Sequence, residues 1–131
     1  MTATIIKIGG SVMSDKSKPF SFRFDVVKSI ASDILQVVKE GCANRLVVIH
    51  GGGSYGHYVV EEHGGVLGVD AVVQTLWYMR ELNMLLVDIL ISFGLPVIPF
   101  DTHALFSVVG GSIDLYAEPI LNALNLGLIP V

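Results

Sequence analysis

Apolar residues along the chain switch between two periods, and the switches mark the elements. Thr4-Ile5-Ile6-Lys7-Ile8 is a short, β-branched run that reads as a strand. Ser11 to Phe22 is polar, rich in Ser and Lys with Pro19 inside it, and reads as a hairpin or a loop. Val26, Val27, Ile30, Ile34, Val37 and Val38 then recur at helical spacing and predict a helix over Asp25 to Glu40. Ser21 or Asp25 is the expected cap, and Lys39 and Gly41 suit its end. Arg45 to Ile49 predicts a second strand, and Tyr55 to His63 a short helix stopped by Gly64-Gly65. A long helix follows from Ala71 to Phe93, with Val72, Leu76, Met79, Leu82, Leu86, Ile89 and Leu90 as its stripe. Apolar residues spill beyond that stripe, which implies contact on more than one side. Pro96 to Phe100 reads as a short strand, and Ala104 to Ser112 is ambiguous around a Gly110-Gly111 turn. Glu118 to Asn125 reads as a helix, and Leu128 to Val131 as the beginning of a strand.

Repeated strand–helix–strand order predicts an α/β fold with a parallel sheet. In such sheets ligands bind at the loops that follow the strands. The final strand has no loop after it, so the expectation is one half of a larger protein.

Two strand ends carry the candidate chemistry. Leu46 to Ile49 runs into His50-Gly51-Gly52-Gly53-Ser54-Tyr55-Gly56-His57, a strand, a bare loop and a helix start. The first strand runs into Gly9-Gly10-Ser11. Glycines let backbone N–H groups approach a ligand closely, and a helix N-terminus favours an anion there. Two such turns predict a site for two phosphates, or for one phosphate that moves between two places. His57 sits where it could donate a hydrogen bond to that phosphate. Lys7 has an alternative reading as an edge-strand gatekeeper, and Lys16 as solvated charge.

Composition narrows the classes. The 131 residues suffice for one domain, and 52% of them are hydrophobic. Only 15% are charged, against about 25% in ordinary domains, which suits strands buried on both faces or an interface. A formal net charge of −4 without a basic stripe argues against nucleic acid. The single cysteine, Cys42, excludes an internal disulfide framework, and the four histidines lack metal-ligand spacing. No signal peptide is visible. Asp88, Gly94 and Pro96 interrupt the greasy stretch Met84 to Phe100, which falls short of the roughly 20 apolar residues of a membrane span. A cytoplasmic location, with no membrane partner, is the default expectation.

Ile6-Lys7-Ile8-Gly9-Gly10-Ser11, Ser14-Asp15-Lys16 and Val48-Ile49-His50-Gly51-Gly52-Gly53-Ser54-Tyr55-Gly56-His57 together resemble the amino-acid kinase superfamily. The similarity is greatest to the isopentenyl phosphate kinase subgroup, which also includes the fosfomycin kinases. The long helix with Trp77, Met79 and Arg80 suits it too. The resemblance runs from about Thr4 to Val131. It implies the carbamate kinase-like fold, a parallel-rich central sheet with helices on both faces. It implies that residues 1–131 are the N-terminal acceptor and phosphate-binding domain, without the nucleotide-binding domain that follows in full-length members.

The resemblance implies transfer of the γ-phosphoryl of ATP, with Mg²⁺, to a small phosphate monoester such as isopentenyl phosphate. Lys7, Gly9, Gly10, Ser11 and Gly53 would face the ATP phosphates. Gly52 and His57 would hold the acceptor, and Lys16 would stabilise transition-state charge. A homodimer is expected, and the chain alone is expected to turn over poorly. Fosfomycin or another phosphonate is an alternative acceptor, and a non-catalytic dimerising module is an alternative function. Gly51-x-Gly53-x-x-Gly56 also fits a dinucleotide fingerprint, but the acidic residue at the end of a second strand is missing. His50 is expected to orient the turn, His63 and His103 have no evident partner, Arg80 and Glu81 read as a solvated helix face, and Trp77 and Tyr78 as packing residues.

Overall fold

A computed structural model describes residues 2–131. Strand β1 (Thr4–Ile8) leads into a one-turn helix, α1 (Gly10–Met13). Helix α2 (Phe24–Lys39), strand β2 (Leu46–His50), helix α3 (Gly53–Glu62) and the long helix α4 (Val69–Ser92) follow. Strand β3 (Val97–Ile98) leads through a short 3₁₀ turn (Thr102–Ala104) to the strands β4 (Phe106–Val109) and β5 (Ser112–Leu115). Helix α5 (Glu118–Asn125) and strand β6 (Ile129–Pro130) complete the described order.

β1 and β2 pair in parallel, with Ile6 opposite Val48 and Ile8 opposite His50. β3 and β6 form a second parallel pair, and β6 packs beside β2 without a shared hydrogen-bonded ladder. Side-chain alternation divides the first pair into two faces. Ile6, Ile8, Leu46 and Val48 point into the main core, where Val27, Ala31 and Ile34 of α2 meet Leu82, Leu86 and Leu90 of α4. Ile5, Lys7, Val47 and Ile49 share the opposite face. Val47 and Ile49 there open onto a cavity bounded by the β4–β5 hairpin and α5. Ile5 remains 63% exposed, so that face is only partly covered by this chain.

Periodicity located α2, α4 and α5 to within about two residues because each buries a stripe against the sheet. Three expectations change. The segment after β1 opens as helix, and its remainder is a loop closed by a bridge between Ser14 and Phe22. The N-cap of α2 is Arg23, without a side-chain cap; Asp25 lies in its first turn and Ser21 bonds elsewhere. The ambiguous stretch is the β4–β5 hairpin, where Phe106 and Val108, and Ile113 and Leu115, alternate with polar residues in runs of only four, too short to separate from a loop. Gly110 and Gly111 both have positive φ, 57° and 81°, as its tight two-residue turn requires.

Candidate active site

The two glycine turns lie against each other. Gly51 N–H donates to Ile8 O at 3.0 Å, continuing the β1–β2 pairing into the turns. A Cβ placed on Gly10 would lie 2.3 Å from Gly53 N, and one on Gly53 would lie 2.1 Å from Ser14 Oγ. Gly53 also has φ +50°, a conformation that glycine adopts at little cost. Only bare backbone fits at this junction.

The junction leaves amides free. Among the described residues, the N–H groups of Gly9, Gly10, Ser11, Gly52 and Gly53 donate to no protein acceptor. Those of Gly52 and Gly53 belong to the start of α3, where the helix dipole adds partial positive charge. This donor set suits phosphate oxygens. The structure brings Gly9, Gly10, Ser11, Gly52 and Gly53 together at the meeting of the two turns.

The charged candidates are arranged less directly. Lys7 is exposed on the face of β1 opposite the main core, two residues before Gly9. Lys16 is exposed on the loop after α1. His57 lies on the second turn of α3, with Nε2 3.0 Å from Glu61 Oε1, four residues along the helix. Both side chains are exposed, so that pair holds the ring only weakly.

His50 closes the turn from behind. Its Nδ1 is 3.0 Å from Gly51 O, and its Nε2 is 3.0 Å from Asn83 Nδ2. A carbonyl only accepts and an amide nitrogen only donates. Nδ1 therefore carries the proton, Nε2 accepts, and the neutral ring ties the turn to α4. Met79 lies on the same helix, with its sulfur 3.2 Å from where a Gly52 Cβ would be.

Met79, His50 and Asn83 also line the large cavity, about 550 Å³, together with Val47, Ile49, Leu76, Leu105, Phe106, Leu115 and Ile120. An apolar chamber thus begins beside the glycine turn. Its polar rim includes Asp101, which pairs with Arg80. Arg80 and Glu81 are both exposed, as a solvated helix face requires, and Arg80 forms its ion pair on that face. His103 lines the same cavity, and His63 has a partner after all, Gln74 Oε1 at 3.2 Å.

Ser14 and Ser54, members of two sequence motifs, are buried and joined to each other, which the motifs alone do not reveal. Ser14 donates from Oγ to Gly10 O at 2.9 Å and accepts from Ser54 N–H at 2.8 Å. Ser54 Oγ accepts from Ser21 N–H at 3.2 Å. They are the buried polar side chains among the described residues. Both bonds from Ser54 span tens of residues, to Ser14 and Ser21, and neither is a local helix cap that the sequence could signal. Nearby, the Ser17 hydroxyl and its backbone N–H hold the Asp15 carboxyl below its usual 3.8. Burial raises the Tyr55 phenol, with a smaller contribution from Glu81.

The family model described as the amino acid kinase family matches residues 2–131. The chain belongs to that family. It is 29% identical to an isopentenyl phosphate kinase of Methanocaldococcus jannaschii over 141 residues, covering 98% of this chain and 54% of that protein. It is 31% identical to an isopentenyl phosphate kinase of Thermoplasma acidophilum over 133 residues, covering 97% of this chain and 50% of that one. The chain spans about half the length of both relatives. Among solved structures, an isopentenyl phosphate kinase superposes with a TM-score of 0.81 at 26% identity, over 97% of this chain and 55% of that one. A T. acidophilum isopentenyl phosphate kinase product complex gives 0.79 at 30% identity, over 99% and 54%. The amino acid kinase fold expected from the motifs is therefore the fold of this chain. No helix among the described residues is long and apolar enough to cross a membrane.

Proposed function

We propose that this chain is the acceptor-binding half of a kinase that transfers the γ-phosphoryl of ATP to isopentenyl phosphate, forming isopentenyl diphosphate. The observation that carries this reading is the junction of two glycine turns, with free amides on both, next to His50 and Met79, which also line an apolar cavity. The cavity volume lies within the range of about 300–1,000 Å³ usual for small-molecule sites. In this proposal Gly52 N–H and His57 hold the acceptor phosphate, and the hydrocarbon tail enters past Met79. Lys7, Gly9, Gly10, Ser11 and Gly53 face the phosphates of ATP, which brings Mg²⁺ with it. Lys16 supplies charge to the migrating group.

A phosphate monoester is already a nucleophile at neutral pH. Phosphoryl transfer therefore asks the protein mainly for in-line positioning and compensating charge. Backbone N–H groups and two lysines meet that requirement without a strong general base. A nucleotide domain beyond this chain would complete the site. A homodimer through α4 belongs to the same proposal, because Val69, Val72, Val73 and Trp77 are exposed along its first half.

Calorimetric titration of the chain with isopentenyl phosphate, methyl phosphate and NAD tests the reading. Isopentenyl phosphate should bind at least about tenfold more tightly than methyl phosphate, since burying even two methylenes is worth roughly 1.5 kcal/mol. Equal affinities would remove the cavity from the site, and preference for NAD would favour a dinucleotide domain. Fosfomycin in the same series distinguishes the phosphonate acceptor. His57→Ala should weaken the phosphate ester, and unchanged affinity would take His57 out of the site.

A further inference from the structure

The loop between Ser14 and Phe22 is anchored at both its base and its tip. At the base, Ser14 and Ser54 share the hydrogen bond across the glycine junction, and Ser21 N–H reaches Ser54 Oγ. Ser21 Oγ then clamps Asp15 from both sides, donating to Asp15 O at 2.8 Å and accepting from Asp15 N–H at 2.9 Å. Asp15 Oδ1 accepts from the N–H and the hydroxyl of Ser17, at 3.0 and 2.7 Å. Lys16 lies between these two fixed residues.

At the tip, Phe20 has φ +53°, the one positive value at a non-glycine residue among the described residues. An aromatic residue does not hold that conformation unless its surroundings compensate. Its ring packs on Tyr55 and Tyr58 of α3 and on Tyr78 of α4, with centroids 5.3, 4.7 and 4.7 Å away. The aromatic contact thus holds the loop down onto the helices that flank the glycine turn.

We propose that Ser14, Ser21, Ser54 and Phe20 are positioning residues, which form a strap that holds the Lys16 backbone in one place over the phosphate site. The inference rests on the phosphoryl-transfer reading above. A lysine on an open loop would spread its charge over many positions, and ordering it at each encounter would cost affinity and rate. The strap settles that ordering during folding. Each of its three hydroxyls bonds backbone groups of the loop or the glycine junction, so their role is on the loop rather than on the ligand.

Limited trypsin digestion of the 131-residue chain tests the strap directly. Proline at position 19 protects the bond after Lys18, so cleavage after Lys16 reports opening of the loop. Cleavage after Lys28, inside α2, reports global unfolding. Phe20→Gly and Ser54→Ala should each raise the ratio of Lys16 to Lys28 cleavage by roughly tenfold, the effect of losing one anchoring contact of ordinary strength. Phe20→Tyr, which keeps a ring, should restore the ratio. An unchanged ratio in both variants overturns the strap.

Inorganic pyrophosphate titration then tests the positioning of Lys16. Lys16→Ala should weaken pyrophosphate by roughly tenfold in the parent chain and by less than about threefold in the Ser54→Ala background. An equal loss in the two backgrounds, or no loss in the parent, overturns the positioning role. Absence of any pyrophosphate binding by the parent chain overturns the phosphate reading instead, and the cleavage ratio still judges the strap.

Discussion

Gly10→Ala sets two physical effects against each other with opposite signs. Gly10 is the first residue of α1, with helical backbone. Helix propensity alone predicts a gain of up to about 1 kcal/mol from alanine. The tertiary contact predicts the reverse. The new methyl carbon would sit 2.3 Å from Gly53 N and 2.6 Å from Gly53 Cα, where contact normally begins at 3.4 Å. Both partners are main chain, so no rotamer change relieves the overlap, and the two turns must part by about 1 Å. Overpacking of this kind costs about 1–3 kcal/mol, and the backbone partners place it at the upper end. Parting the turns also stretches the Ser14–Ser54 and Ile8–Gly51 hydrogen bonds.

The net expectation is a loss of about 2 kcal/mol, or about 6–10 °C in Tm for a chain of this size. Thermal unfolding followed by circular dichroism measures it. Gly9→Ala is the control. Gly9 has φ −65° and ψ 144°, and a Cβ there meets nothing closer than Val12 Cγ2 at 3.8 Å. That variant should stay within about 2 °C, since substitutions without a steric conflict cost little. A Gly10→Ala protein as stable as the parent would refute the backbone junction, and with it the geometry assigned to the phosphate site.

Three further outcomes are expected. Leu82→Ala, at a fully buried position where α4 meets α2 and the sheet, should cost about 2–5 kcal/mol in urea unfolding, and a loss below 1 kcal/mol would deny that contact its place in the core. Imidazole nitrogen shifts should show His50 as the Nδ1–H tautomer, with Asn83→Leu mixing the two neutral forms; an Nε2–H ring in the parent would contradict the bond to Asn83. The Asp15 carboxyl titrates low because Ser17 bonds its ionised form, so its contribution is complete above 3.8 and is lost as pH falls through the lower folded-state value. The Ser17 amide shift, followed by NMR, should therefore move with a midpoint below 3.8, and a midpoint at or above it would mean that the loop does not hold Asp15.

The sequence by itself determined the elements that carry a local signal. α2 and α4 were legible because each must bury a stripe of fixed period. The glycine turns were legible because bare backbone has few other uses at the end of a buried strand. The β4–β5 hairpin left a weaker signal, since its alternation spans only four residues on each strand, its residues are exposed, and its two-glycine turn stood out more than its strands. Tertiary structure alone decided how the turns meet. Ser14 and Ser54 are 40 residues apart and Ser21 and Ser54 are 33, and a serine that bridges such distances reads like any loop serine. The same holds for Arg80 with Asp101 and His50 with Asn83, 21 and 33 residues apart. Periodicity records which face an element buries. It carries no record of which hydroxyl or amide waits on the other side, because one hydrogen bond constrains two residues and leaves the pattern between them unchanged.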